Sequence, residues 1–133
     1  MSLIDSPMLQ VLGQALDIGA FRQKVISSNI ANVDTPGYRT RDVDFGRALA
    51  HALATAVNTG VNASAAVGLN GAGFPATLAA HAVKGLMERP DGNNVNADRE
   101  GLLLADTQLR FTLSAQLERA AFHEMLSAIK EGA

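Results

Sequence analysis

Asn29-Ile30-Ala31-Asn32-Val33-Asp34-Thr35-Pro36-Gly37-Tyr38 is the stretch on which the reading of this chain turns. Pro36 locks its own φ and disfavours helix at Thr35, and Gly37 is free to take the positive φ that a type II turn demands. Asn29 and Asn32 are poor inside a helix but suit a helix end, where their amides bond loop backbone. The stretch therefore ends one helix and opens an extended connector.

Upstream, Ser6-Pro7 is a helix start: Ser caps free N–H groups, and Pro in the first turn loses no hydrogen bond. Leu9, Leu12, Leu16, Ile26, Ile30 and Val33 then fall on one 3–4 register, with Val11, Ile18 and Val25 beside it. So wide a stripe touches more than one neighbour. From Pro7 to Ala31 the helix spans roughly 37 Å at ~1.5 Å per residue, and such a rod cannot bury its own stripe.

Downstream, Arg39, Arg41, Asp42 and Asp44 alternate in sign and read as a solvated extended piece. Asp44 caps a short helix carrying Phe45, Leu49, Leu53 and Val57 at i, i+4, which Asn58-Thr59-Gly60 ends. Asn62 to Pro75 reads as a Gly- and Asn-dense loop. Phe74 to Met87 reads either as a short helix or as an extended piece. Arg89-Pro90-Asp91-Gly92-Asn93 is a turn. Asn96 or Asp98 caps the last helix, with Asp98 and Glu100 placed to favour its dipole. Leu102, Ala105, Leu109, Thr112 and Leu113 share one face, continued by Gln116, Leu117 and Ala120 and widened by Phe111, Phe122, Leu126 and Ile129. Asp106–Arg110 is a favourable i, i+4 pair, and Lys130 and Gly132 suit a helix end.

The fold class is mainly α. Residues 1–34 form an N-terminal helix, 35–95 a loop-rich connector with a short central helix, and 96–133 a C-terminal helix. Apolar stripes at both ends, with an uncharged Gly/Ala/Asn stretch between, suit a chain that packs its ends together and then packs with copies or neighbours. The expected seam is Leu9, Leu12, Leu16, Ile26 and Ile30 against Leu102, Leu109, Leu113 and Leu117.

Composition narrows the function. A chain of 133 residues is one domain by size, and its net charge of −2 offers no basic face for nucleic acid. With no Cys, thiol catalysis, disulfides and Cys-based zinc sites are excluded. Met1 to Gln10 lacks the positive charge of a secretory signal, and no apolar run approaches the ~20 residues of a membrane span. His51, His81 and His123 have no metal-ligand spacing. Gly68-Leu69-Asn70-Gly71-Ala72-Gly73 lacks the Lys-Ser/Thr of a phosphate loop. The carboxylate pairs Asp42/Asp44 and Asp98/Glu100 serve better as caps and dipole partners than as an acid/base pair. No catalytic residue, metal or cofactor is expected.

The opening stretch resembles the signature of the bacterial flagellar rod, hook and filament-junction family, in which an Asn-x-x-Asn run leads into Thr-x-Gly-Tyr/Phe after the first helix. Arg41-Asp42-Val43-Asp44-Phe45, the link Asp91-Gly92-Asn93-Asn94-Val95-Asn96-Ala97-Asp98-Arg99-Glu100 and the short chain point to its proximal rod branch. The likeness runs over residues 8–47 and 91–131. It implies that the terminal helices pair as an antiparallel coiled coil in a helical tube, and that Asn29, Asn32, Thr35, Pro36, Gly37 and Tyr38 fix where the first helix passes into its connector. It implies a structural subunit without catalytic activity, exported uncleaved through the flagellar type III apparatus. The subunit would assemble in the periplasmic space with copies of itself, other rod proteins, the basal adaptor ring and the export gate. A small soluble helical adaptor or secretion chaperone, binding a partner helix in its groove, is the alternative; an enzyme on a helical scaffold ranks below both.

Overall fold

The structure, a computed structural model, describes residues 7–59 and 78–131. The expected Ser6 cap, the Gly60 stop, the loop from Asn62 to Pro75 with its Gly-rich run, and Gly132 lie outside the described residues. Three helices, α1 (Pro7–Ala31), α2 (Phe45–Thr59) and α3 (Ala97–Glu131), are joined through two short strands, β1 (Arg41–Asp42) and β2 (His81–Ala82). α1 packs against both α3 and α2.

The helix limits follow local chemistry. α1 ends at Ala31 and the chain then turns, with the Tyr38 N–H donating to Thr35 O at 3.2 Å and Gly37 at φ 73°. Pro at the second position and a positive-φ Gly at the third make this a type II turn. α2 starts where Asp44 Oδ1 accepts from the Arg47 N–H at 2.9 Å. α3 starts where Asn96 Oδ1 accepts from the Arg99 N–H at 3.0 Å, so Asn96 and not Asp98 is the cap. The Asp106–Arg110 pair forms at 2.9 Å.

α1 and α3 run antiparallel. Near the end of α1 the Asn29 amide bonds Glu100 at the start of α3; farther back, Gln23 bonds Gln108 and Gly19 faces Phe111. A Cβ on Gly19 would lie 3.3 Å from Phe111 Cδ2, so the Phe111 side chain packs on the bare backbone there and would have to shift by a few tenths of an ångström to admit a methyl. The buried apolar side chains are Leu9, Leu12, Ala15, Ile18 and Ile26 of α1, with Val43, Ala52 and Val95. Phe74 to Met87, open between helix and strand in sequence, is extended where it is described. His81–Ala82 pairs antiparallel with β1 in the register Arg41↔Ala82, Asp42↔His81, and the Val83 N–H reaches Thr40 O at 2.9 Å.

One expectation is corrected here. Leu9, Leu12 and Ile26 are buried and Leu16 is half-buried, but Ile30 is 36% exposed. Leu102, Leu109, Leu113 and Leu117 are 75, 70, 56 and 46% exposed, so they are not the buried face of α3. α3 turns the opposite face inward: Glu100 and Thr107 are fully buried, and Leu103, Leu104, Phe111, Ser114 and Ala115 are half-buried. Two apolar faces about half a turn apart share this helix, and periodicity cannot rank them. The inner one carries the small and polar groups that fit against Gly19 and Asn29.

Candidate assembly surface

Where α1 ends, a polar joint ties three separate parts of the chain together. Asn29 is fully buried with all its hydrogen-bonding capacity used. Its Nδ2 donates to Arg41 O at 2.7 Å and Glu100 Oε2 at 2.8 Å, and its Oδ1 accepts from Arg41 N at 3.1 Å and the Tyr38 hydroxyl at 3.2 Å. Asn32 closes the helix more locally, donating to Ser28 O at 2.8 Å and accepting from the Thr35 hydroxyl at 3.1 Å.

The link into α3 grips the same connector from the other side. Asn93, also fully buried, donates through Nδ2 to Asn32 O at 2.9 Å and Thr35 O at 2.8 Å. Asn94 Oδ1 accepts from the Thr40 N–H at 2.7 Å, while the Thr40 hydroxyl donates to Asn94 O at 3.0 Å. The Gly37 N–H donates to Asp91 O at 2.9 Å, and Gly92, at φ 82°, comes so close that a Cβ on it would lie 3.4 Å from Gly37 Cα. Two glycine turns are thus stacked backbone on backbone. Gly37→Val forces a β-branched residue to positive φ and is expected to lower stability by at least about 1–2 kcal/mol. Chemical denaturation checks this, and an unchanged midpoint would mean that the connector tolerates another turn.

Asp42, read from sequence as part of a solvated segment, instead stands at the centre of a half-buried charge network. Arg22 grips it with two bonds of 3.0 and 3.1 Å, and Arg99 Nη2 lies 3.8 Å away. Arg99 also bonds the buried Glu100 at 2.6 Å, and Arg22 reaches Asp106 at 3.6 Å. Burial pushes the Asp42 carboxyl up, but the Arg22 hydrogen bonds, the Val43 N–H and the charges of Arg22 and Arg99 together hold it below the usual carboxylate range. The bond to Asp42, working against burial, raises the Arg22 guanidinium. A carboxylate depressed by folding adds stability above its unfolded pKa and loses it as pH falls through its folded value. The melting temperature is therefore expected to fall once pH drops below about 4, and Asp42→Asn should flatten part of that fall. Parallel acid limbs for the two chains would contradict the assignment.

A cleft of about 740 Å³ opens beside this network, lined among others by Asp42, Phe45, Lys84, Arg99 and Arg110. Arg22 and Arg99, which also line it, are held by carboxylates of the same chain, and Arg110 lies 5.6 Å over the Phe45 ring. Among the described residues no cluster of His, Asp and Glu could hold a metal ion. The joint and the network tie α1, the connector and the start of α3 together.

The outer face of α3 is apolar and exposed. From Leu102 to Leu117 the exposed leucines run for about 22 Å along the helix. Phe122, Leu126 and Ile129 lie exposed nearer its end. Sequence reading pointed to the Asn29–Tyr38 connector, and to the leucines of this face as a seam against α1 rather than as an outer face. It left Asn93, Asn94 and Thr40 out of the joint, took Glu100 for a dipole partner and missed Arg22. The four Asn of the folded joint, Asn29, Asn32, Asn93 and Asn94, appear in the sequence as two separate runs, and nothing local pairs the second, Asn93-Asn94-Val95-Asn96, with the first.

A family model described as flagella basal body rod protein matches residues 9–39, the span of α1 and its connector. The chain is 33% identical over 127 residues to the flagellar basal body rod protein FlgB of Yersinia enterocolitica, covering 90% of each. It belongs to the FlgB family of flagellar basal body rod proteins. It is also 33% identical over 128 residues to the FlgB of Escherichia coli K12, with 90% of each covered. The FlgB of Cereibacter sphaeroides is 34% identical over 127 residues, covering 92% of this chain and 93% of the relative. The subunit is thus a structural component of the flagellar basal body rod. Its paired terminal helices are those that the resemblance implied, and its short central helix is the one that the residues after Asp44 predict. No helix among the described residues is long and apolar enough to cross a membrane.

Proposed function

We propose that this rod subunit occupies the proximal rod, next to the export gate and the basal adaptor ring, after export through the flagellar type III apparatus without signal cleavage. The outer face of α3 is its lateral contact: copies of the chain and other rod proteins cover it in the periplasmic axle. Asn29, Asn32, Thr35, Pro36, Gly37 and Tyr38 form the joint that sets the connector against the helix pair. One observation carries the reading. Among the described residues α3 has an inner face packed on α1 and an outer face whose leucines stay 46–75% exposed, and each leucine gains about 1.5–3 kcal/mol when fully buried. A helix built this way suits a subunit that is incomplete until it is surrounded.

The absence of cysteine makes the test direct. The single thiol introduced by Leu113→Cys should react with a thiol reagent in the soluble subunit and be protected in isolated basal bodies that contain it. A chain that stays in the soluble fraction bound to an exported protein would replace this reading with the adaptor one. A chain found in basal bodies with the introduced thiol still reactive would leave the rod location standing and remove the lateral contact from this face.

A further inference from the structure

α3 has two apolar faces, and the one it turns toward α1 also carries buried polar groups. The inner face presents Thr107, Ser114 and Ala115 beside Leu103, Leu104 and Phe111, whereas the outer face holds four leucines. Burial of apolar area alone does not choose between two faces that both carry large apolar side chains. What distinguishes the inner face is polar and directional. The fully buried Glu100 receives the Asn29 amide at 2.8 Å, and Asn29 is itself anchored on both sides of Arg41. Arg99 joins Glu100 to Asp42 on β1. These bonds sit in the first turn of a stiff helix, so the azimuth they set there carries through the 35 residues of α3. A buried polar pair is weak evidence of stability, but it is known to choose between packings of similar hydrophobic content.

We propose that Glu100 and Asn29 act as an orientation latch, which sets the rotation of α3 about its axis and keeps the Leu102–Leu117 face outward. The latch acts in the isolated chain, whatever later covers that face. Its removal frees α3 to roll its leucines onto α1.

The experiment uses the full chain with one cysteine, introduced either by Thr107→Cys, at a fully buried position, or by Leu109→Cys, where the native side chain is 70% exposed. Thiol labelling of the two chains is compared in the native background and in one carrying Asn29→Leu with Glu100→Leu. In the native background position 109 is expected to react at least ten times faster than 107. Without the latch the chain should keep its helical circular dichroism while the ratio falls to near one or inverts. A tenfold ratio that survives in a folded latchless chain overturns the proposal. Loss of the helical signal in that chain overturns it equally, because the pair would then supply stability rather than orientation. Glu100→Gln, which still accepts from Asn29, should retain the native ratio.

Discussion

Asn29→Asp should destabilise the fold by about 3–5 kcal/mol at neutral pH, although it exchanges only an amide NH₂ for an oxygen. Both Nδ2 donors are in use, one on Arg41 O and one on the buried Glu100 carboxylate. An ionised Asp at this place offers acceptors to acceptors and sets a second negative charge against Glu100, away from water. Domains of this size hold about 5–15 kcal/mol in all, so much of the folded population is at stake. The new carboxyl would take up a proton in the folded state, since the neutral form can still donate one bond. With its folded pKa raised above the unfolded one, the variant loses stability as pH rises and regains it as pH falls. Urea unfolding at pH 7 and pH 5 should therefore show the variant closer to the parent at the lower pH. Equal stability of the two chains at pH 7 would show that the joint does not bear on the fold.

Leu109→Asp should give the opposite pattern: a folded subunit that fails to enter rods. With 70% of Leu109 exposed, the change removes little packing from the chain, and its melting should shift by no more than about 0.5 kcal/mol. In an assembly that covers this face, each copy would bury a carboxylate without a partner. Desolvating even an uncharged polar group costs a few kcal/mol, and a charge costs more. Leu12→Asp is the matching control, because that side chain is buried inside the chain and its loss should unfold the subunit before assembly is tested. Circular dichroism of the purified chains and rod content of isolated basal bodies separate the two cases. Normal rods from Leu109→Asp would take the outer face of α3 out of the assembly.

The amino-acid sequence by itself settled where α1 ends and α2 begins, and narrowed the start of α3 to Asn96 or Asp98. Pro7, the Pro36-Gly37 turn, Asp44 and Asn96 act on their nearest backbone neighbours, and α1, α2 and α3 start or stop where those residues require. It also settled that the terminal helices seek partners, since neither can bury its own stripe. The tertiary structure alone decided which side of α3 meets α1. Both sides satisfy a 3.6-residue period, and the choice between them rests on Gly19 admitting Phe111 and on Asn29 meeting Glu100, 71 positions along the chain. For the same reason Asp42 could be read as solvated: a charge in an extended piece gives no sign of the arginines that α1 and α3 bring to it. Local chemistry is written in neighbouring residues, whereas a buried polar contact exists only once distant segments have come together.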